Sequence, residues 1–131
     1  MKIIVNGTFD ILHRGHIELL EHAKSLGEFL LVCIDTDERV KELKGLDRPI
    51  NKQNDRAFML QGLKCVDAVW TFNSEKDLDQ ICEMYQADIM VKGKDYEGKR
   101  IVGVEHCKEI KFVELVDGYS TTNIIQRIIN R

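Results

Sequence analysis

Residues 2–34 read KIIVNGTFDILHRGHIELLEHAKSLGEFLLVCI. Lys2-Ile-Ile-Val5 is a short β-branched run that stops at Asn6-Gly7, the pattern of a buried strand ending in a turn. From His13 to Leu26 the apolar residues Ile17, Leu19, Leu20, Ala23 and Leu26 recur at helical spacing, and Gly27 follows as a stop. Phe29–Ile34 is apolar throughout and reads as a second buried strand. Strands without polar alternation are buried on both faces. A strand–helix–strand unit of this kind therefore implies a parallel sheet with helices above and below.

The rest of the chain repeats the theme. Asp35-Thr-Asp-Glu38 reads as a helix start, with Val40 and Leu43 on the apolar side. Lys44–Ile50 is a loop with the sole proline, Pro49, and 52–64 is a helix with Ala57, Leu60 and Leu63 on one face. Ala68–Phe72 is a strand, and 76–86 a helix with Leu78, Ile81 and Met84 inward. Asp88–Val91 is a strand, Lys92–Lys99 a glycine-containing loop, and 100–108 a short irregular piece. Residues 110–116 form the last strand, and 121–130 a helix carrying Ile124, Ile125, Ile128 and Ile129, enough for core and interface alike. The expected fold is α/β: one Rossmann-like, doubly wound parallel sheet with helices on both faces. Such sheets bind ligands beyond the carboxyl ends of their strands, at the topological switch point. That rule nominates the segment after the first strand, the loop after Val91, and the loop before the last helix.

With 131 residues the chain is expected to form one domain, 1–131. A net charge of -3 offers no basic excess to attract nucleic acid or an anionic membrane, so neither is an expected partner. No apolar run reaches the ~18 residues of a membrane span, and the first residues turn polar too soon for a signal peptide. Cys33, Cys65, Cys82 and Cys107 lie far apart with no CxxC pair, so they read as reduced, structural thiols in a cytoplasmic protein.

The chemistry concentrates at two turns. In Gly7-Thr-Phe-Asp-Ile-Leu-His-Arg-Gly-His16, two histidines three apart open a helix. Residues at that spacing share a face, and first-turn amides attract anions. Gly7 and Gly15 let a ligand approach the backbone. The arrangement suits a phosphate chain, with two imidazoles donating hydrogen bonds, each from a tautomer fixed by a neighbour. A bare HxxH also reads as a metal pair or as two solvated histidines, but no third ligand is evident. His22 falls mid-helix and reads as surface. In Asp117-Gly-Tyr-Ser-Thr-Thr-Asn123, Asp-Gly marks a turn, Ser120 suits an N-cap, and Thr121 and Thr122 fill the first helical turn. Taken alone this is a well-capped helix; it is also a second anion site. Lys41, Lys44 and Arg48 read first as surface charge. Lys92-Gly-Lys-Asp-Tyr96 divides evenly between a surface turn and a binding loop.

The string G-T-F-D-x-x-H-x-G-H resembles the signature of the HxGH nucleotidyltransferases, the cytidylyltransferase-like superfamily. Within it, L-K-G-x-x-R-P-I-N (43–51), Val66-Asp67, V-K-G-x-D-Y (91–96), I-V-G (101–103) and D-G-Y-S-T-T-N-I-I (117–125) are similar to the adenylyltransferase half of bifunctional ADP-heptose synthases. The likeness spans nearly the whole chain. Glycerol-3-phosphate cytidylyltransferases are the next resemblance, sharing Gly7-Thr-Phe-Asp10 and an E-G-K string, here Glu97-Gly-Lys99. Departures are Thr8, where heptose members often carry Cys or Val; a shortened 103–110; Arg14, at a variable position; and Lys64, where the cytidylyltransferase pattern has arginine. No kinase half is present, so a heptose kinase is expected as a separate chain.

The resemblance implies transfer of a nucleotidyl group from ATP or CTP to a phosphorylated sugar or polyol, with release of pyrophosphate. The expected acceptor is D-glycero-β-D-manno-heptose 1-phosphate, with CDP-glycerol formation as the alternative. A non-catalytic nucleotide sensor is the alternative outside enzymes. The resemblance implies His13, His16 and Lys44 as catalytic groups. Gly7, Thr8, Phe9, Gly15, Lys92, Gly93, Asp95, Ser120, Thr121 and Thr122 join the histidines as nucleotide contacts. Asp10 and Arg56 join Lys44 toward the acceptor. Mg²⁺ is the implied cofactor, held mainly by phosphates and water with no protein metal site. Relatives often form dimers, so a homodimer is an expected assembly.

Overall fold

The computed structural model of the protein describes residues 1–114 and 118–131. Leu115 and Val116, at the end of the expected last strand, and Asp117 of the closing turn lie outside the described residues. Five strands form one sheet: β1 (Lys2–Gly7), β2 (Phe29–Asp35), β3 (Ala68–Phe72), β4 (Ile89–Gly93) and β5 (Glu109–Val113). Helices α1 (Arg14–Ser25), α2 (Asp37–Lys44), α3 (Gln53–Gln61), α4 (Glu75–Tyr85) and α5 (Thr121–Ile129) intervene. The strand order is β3-β2-β1-β4-β5, and every pair is parallel. The chain winds outward from β1 through β2 and β3, then returns to place β4 on the other side of β1. The switch point therefore falls between β1 and β4.

Alternation along the strands divides the core. Ile3, Val5, Leu30, Val32, Ile34, Ile89 and Val91 face one side and pack with Leu20 and Ala23 of α1 and Leu60 of α3. Ile4, Leu31, Cys33, Phe72 and Met90 face the other and meet Leu78 and Cys82 of α4. Burying each of these aliphatic side chains contributes about 1.5–3 kcal/mol against leaving it in water. Burial pushes the Cys33 and Cys82 thiols up to about 12, so they stay protonated as core residues.

Four helices start on side-chain caps. His13 accepts from the His16 amide, Thr36 from Arg39, Ser74 from Asp77 and Ser120 from Asn123. The sequence expectations differ in three places. On α4 the inward face is Leu78, Ile81, Cys82 and Tyr85, whereas Met84 is 75% exposed. Strand β4 runs on through Lys92 and Gly93, because β5 pairs with both. The β4–β5 crossover contains only two 3₁₀ turns, Lys94–Tyr96 and Val104–His106, and its Ile101, Val102 and Val104 cover the α4 side of the sheet. On α5, Ile124 and Ile125 are half-buried while Ile128 and Ile129 are exposed. His22 is exposed, as expected. Among the described residues no helix is long and apolar enough to cross a membrane.

Candidate functional site

The exit from β1 builds the first wall. Phe9 has φ 52°, a left-handed conformation that costs a bulky aromatic residue free energy and marks a constrained turn. Its ring is 5% exposed and lies where a side chain on Gly7 would be; a Cβ there would stand 2.9 Å from Phe9 Cε2. The same ring supports His16, with centroids 4.9 Å apart and planes tilted by 58°. Gly15 is bare for a similar reason. A Cβ on it would stand 3.0 Å from the His13 ring and 3.1 Å from Tyr119 Cβ. Thus Gly15 admits both the histidine and the closing turn.

The two imidazoles stack at 3.7 Å with planes 23° apart. His13 Nδ1 accepts the His16 backbone N–H at 3.4 Å. The neutral ring must then carry its proton on Nε2. Helix capping thereby fixes the tautomer. His16 Nδ1 is buried and has no hydrogen-bond partner. A proton there would bury an unpaired N–H, so Nε2 is the favoured proton site of His16 as well. Burial, reinforced by the neighbouring His13 and Lys44 charges, pushes the His16 pKa down to about 4. At neutral pH His16 is an uncharged single donor. Burial also lowers the pKa of His13.

The closing turn meets this wall directly. Thr121 Oγ1 accepts the Ile11 amide at 3.4 Å and lies 3.5 Å from the Ile11 carbonyl oxygen, which accepts from it. The Tyr119 ring stacks toward His13 with centroids 6.3 Å apart. Between the turns lies a pocket of about 290 Å³, lined by Thr8, Asp10, His13, Gly15, His16, Lys44, Arg48 and Tyr119–Thr122. Through Thr8, Phe9, His16, Leu19 and Lys44 it shares a wall with a cleft of about 470 Å³. That cleft runs along the strand ends to Asp35, Arg39, Phe72, Lys92, Gly93, Asp95, Tyr96 and Val102. A larger concavity of about 940 Å³ follows α5 from Gly118 to Arg131 and contains none of these motif residues except Gly118 and Asn123.

Cations line the combined groove. Lys44 Nζ donates to Thr8 Oγ1 at 3.5 Å, and Thr8 Oγ1 donates to Asp35 Oδ1 at 3.4 Å. Burial, then the Arg48 charge, lowers the Lys44 pKa, while Asp35 and Asp10 oppose the shift. Asp35 Oδ2 also accepts Arg39 Nε at 3.2 Å. Lys92 reaches over the Tyr96 ring, Nζ 4.3 Å from the centroid, and its burial lowers its pKa against the pull of Asp35 and Asp95.

Two residues expected to contact the acceptor, Arg56 and Asp10, are engaged in internal hydrogen bonds. Arg56 is 1% exposed, and its guanidinium is committed internally. It donates to the carbonyls of Asn51 at 2.9 Å and Thr8 at 3.0 Å and to Asp37 Oδ1 at 2.9 Å. It therefore braces the site rather than reaching a ligand. Asp10 is on the pocket wall, but its carboxylate accepts the Ile50 and Asn51 amides, each at 2.8 Å. It holds the 48–51 loop in place. Glu97, Gly98 and Lys99 line neither part of the groove. The sequence reading gave no site role to Asp35, Arg39, Tyr96 or Tyr119, and read Arg48 as surface charge. The strand-end rule applied to β2 would have found Asp35; Arg48 sits in a loop with no periodicity to place it.

Among the described residues the one group of three potential metal ligands is Asp79, Glu83 and His106, none of which lines either part of the groove. There His106 Nε2 is already within 3.2 Å of Asp79. Mg²⁺ keeps several waters and needs few carboxylates when phosphate oxygens are present.

Comparison with known proteins agrees with this architecture. The bifunctional protein HldE of Campylobacter fetus subsp. fetus is 50% identical over 126 residues, 96% of this chain and 27% of the relative. The same-named protein of Helicobacter hepaticus is 44% identical over 96% of this chain. The chain thus spans about a quarter of the length of these relatives. A crystal structure of the lipopolysaccharide core biosynthesis protein from Thermoplasma volcanium superposes with a TM-score of 0.71 at 26% identity, covering 87% of this chain and 97% of that one. Residues 4–127 match the description "Cytidylyltransferase-like". With that match across the sheet, both turns and most of α5, the chain belongs to the cytidylyltransferase-like family.

Proposed function

We propose that this domain is a nucleotidyltransferase that joins AMP from ATP to a sugar 1-phosphate, D-glycero-β-D-manno-heptose 1-phosphate, releasing pyrophosphate in the cytoplasm. The observation that carries the reading is the meeting of the two turns. The stacked histidines and the capped start of α5 line one pocket, which shares its wall with the cleft at the β4 end. A triphosphate needs several donors along one line, and this groove supplies them. Support for the heptose acceptor comes from the 44–50% identity to HldE proteins and from Lys44-Gly45 with Arg48-Pro49-Ile50-Asn51.

The reaction is an in-line displacement. An acceptor phosphate oxygen forms a bond to the α-phosphorus. The bond from that phosphorus to the bridging oxygen breaks, and its electron pair leaves on pyrophosphate. No covalent intermediate with the protein is needed, so positioning and charge stabilisation supply the rate. His16, neutral, donates from Nε2 to an α-phosphate oxygen, and His13 donates from Nε2 beside it. Lys44 neutralises the α-phosphate or the incoming phosphate. Ser120, Thr121, Thr122 and the first amides of α5 receive the β- and γ-phosphates. Thr8 and the Gly7 and Gly15 backbone border the phosphate chain. Lys92, Gly93 and Asp95 border the nucleoside. Magnesium, were it bound with the triphosphate beside Lys44 and Ser120–Thr122, would supply charge neutralisation for the leaving group.

Pyrophosphate release is the test, measured with ATP and CTP against heptose 1-phosphate, other sugar phosphates and glycerol 3-phosphate. Turnover with ATP and heptose 1-phosphate is the expected result. Faster turnover with CTP and glycerol 3-phosphate makes the domain a polyol cytidylyltransferase. Nucleotide binding without turnover on any acceptor makes it a sensor.

A further inference from the structure

Arg48 lies between α2 and α3 and lines the 290 Å³ pocket together with His13, Tyr119 and Ser120–Thr122. The side chain is 15% exposed. Its Nε is buried and donates no hydrogen bond. The carboxylate beside it, Asp10, is 3.5 Å away at Oδ2. That oxygen already accepts the Ile50 amide, and Oδ1 accepts Asn51. Asp10 has both carboxylate oxygens on backbone amides, and among the described residues Arg48 makes this ion pair but no side-chain hydrogen bond.

Charge in the pocket points the same way. Among the described residues Arg48 and Lys44 share it with a single carboxylate, Asp10, and the two cations disfavour each other: Arg48 is one cause of the lowered Lys44 pKa. Like charges held together at a helix start form a site built for an anion. A guanidinium matches phosphate oxygens in pairs, as a flexible ammonium does not. Placement decides which phosphate. Arg48 lines the pocket at the start of α5 but not the cleft that runs on to Lys92 and Asp95. A nucleotide with its nucleoside at Lys92 and its α-phosphate at His16 has its terminal phosphates at Arg48.

We infer that Arg48 grips the β- and γ-phosphates of the bound nucleotide and then the departing pyrophosphate, closing the guanidinium fork against the hydroxyls of Ser120, Thr121 and Thr122. The inference rests on the nucleotidyl-transfer reading above. Arg48 stabilises the charge that gathers on the bridging oxygen as the bond to the α-phosphorus breaks.

Calorimetric titration of the whole chain with inorganic pyrophosphate, ATP and AMP, each with magnesium, tests it. Arg48→Gln is expected to weaken pyrophosphate and ATP about 10- to 100-fold, the scale of a lost charge-assisted pair. AMP, which lacks the two outer phosphates, should weaken less than about twofold by the same reasoning. Arg48→Lys keeps the charge without the fork and should fall between. Should Arg48→Gln fail to fold, the same ratio of ATP to AMP loss is read from Arg48→Lys. Equal losses for ATP and AMP, or unchanged pyrophosphate affinity, overturn the assignment while leaving nucleotidyl transfer intact. A wild-type chain that binds neither ATP nor pyrophosphate removes both.

Discussion

His16 carries the sharpest constraint of any single residue. Its ring is wedged between Phe9 and His13, and its Nδ1 has no partner. The ring is neutral because charging it in that place is costly, which holds its pKa near 4. The sign of the pH effect follows. The unfolded chain takes up this proton near the ordinary value of 6.5, whereas the folded chain resists until about 4. Stability from the neutral ring is complete above 6.5 and is lost as pH falls through that window. Between pH 7.5 and pH 5 the loss amounts to roughly 2 kcal/mol. Urea unfolding of wild type and His16→Gln at both pH values measures it: wild type should lose that much more than the variant. Equal pH sensitivity of the two proteins would contradict a buried neutral imidazole. For activity, His16→Ala should lower kcat about 10²–10³-fold, the scale of one preorganised donor. Near-native turnover in that variant takes His16 out of the mechanism.

At the scale of single elements, the start of α1 joins structure to chemistry, because His13 is both its N-cap and a proposed donor. The two roles separate by mutation. His13→Asn keeps a capping oxygen and should hold the wild-type melting temperature while turnover falls. His13→Ala loses the cap too and should cost about 1 kcal/mol of stability. If Asn and Ala destabilise alike, the capping bond contributes nothing. Arg56 of α3 is the opposite case, a buried brace that lines neither part of the groove. Arg56→Met removes the donor to two carbonyls and leaves Asp37 Oδ1 with the Gln53 amide alone, and about 3 kcal/mol of unfolding free energy should go with these bonds. A drop in denaturation midpoint with an unchanged slope checks this. The order and type of every helix and strand could be read from periodicity and turn residues, because local preference and burial agree along most of this chain. Where they disagree, reading failed. On α4 a count by threes reached Met84, but a 3.6-residue repeat turns the inward face to Cys82 and Tyr85. Lys92 looked like loop because it is charged, yet its stem lies inside β4 while its ammonium rests on Tyr96. Arg56 looked like a ligand contact for the same reason: sequence gives the charge but not the carbonyls waiting for it.

The whole molecule adds what no element holds alone. Strand order places the ends of β1 and β4 side by side, and α5 returns its first turn to Ile11 across most of the chain length. The motif strings announced two anion sites. The strand-end rule set both at one edge of the sheet, and the structure brings the two turns together there, through contacts that no local pattern encodes, Thr121 with Ile11 and Tyr119 with His13. Cooperation between the turns is measurable by ligand-linked stability. A nucleotide at 100 times its dissociation constant stabilises the native state by about 2.7 kcal/mol. In a domain of this size that raises the melting temperature by roughly 5–15 °C. Replacing Ser120 by Ala and Thr122 by Val removes two hydroxyls from the closing turn while leaving the opening turn whole. Baseline stability should fall by about 1 kcal/mol from the lost cap, and the shift given by ATP with magnesium at the same concentration should shrink by more than half. AMP should shift wild type and variant equally, because its single phosphate belongs to the histidine turn. An ATP shift that survives the double replacement undiminished means the histidine turn holds the nucleotide by itself, and α5 is then only a well-capped helix.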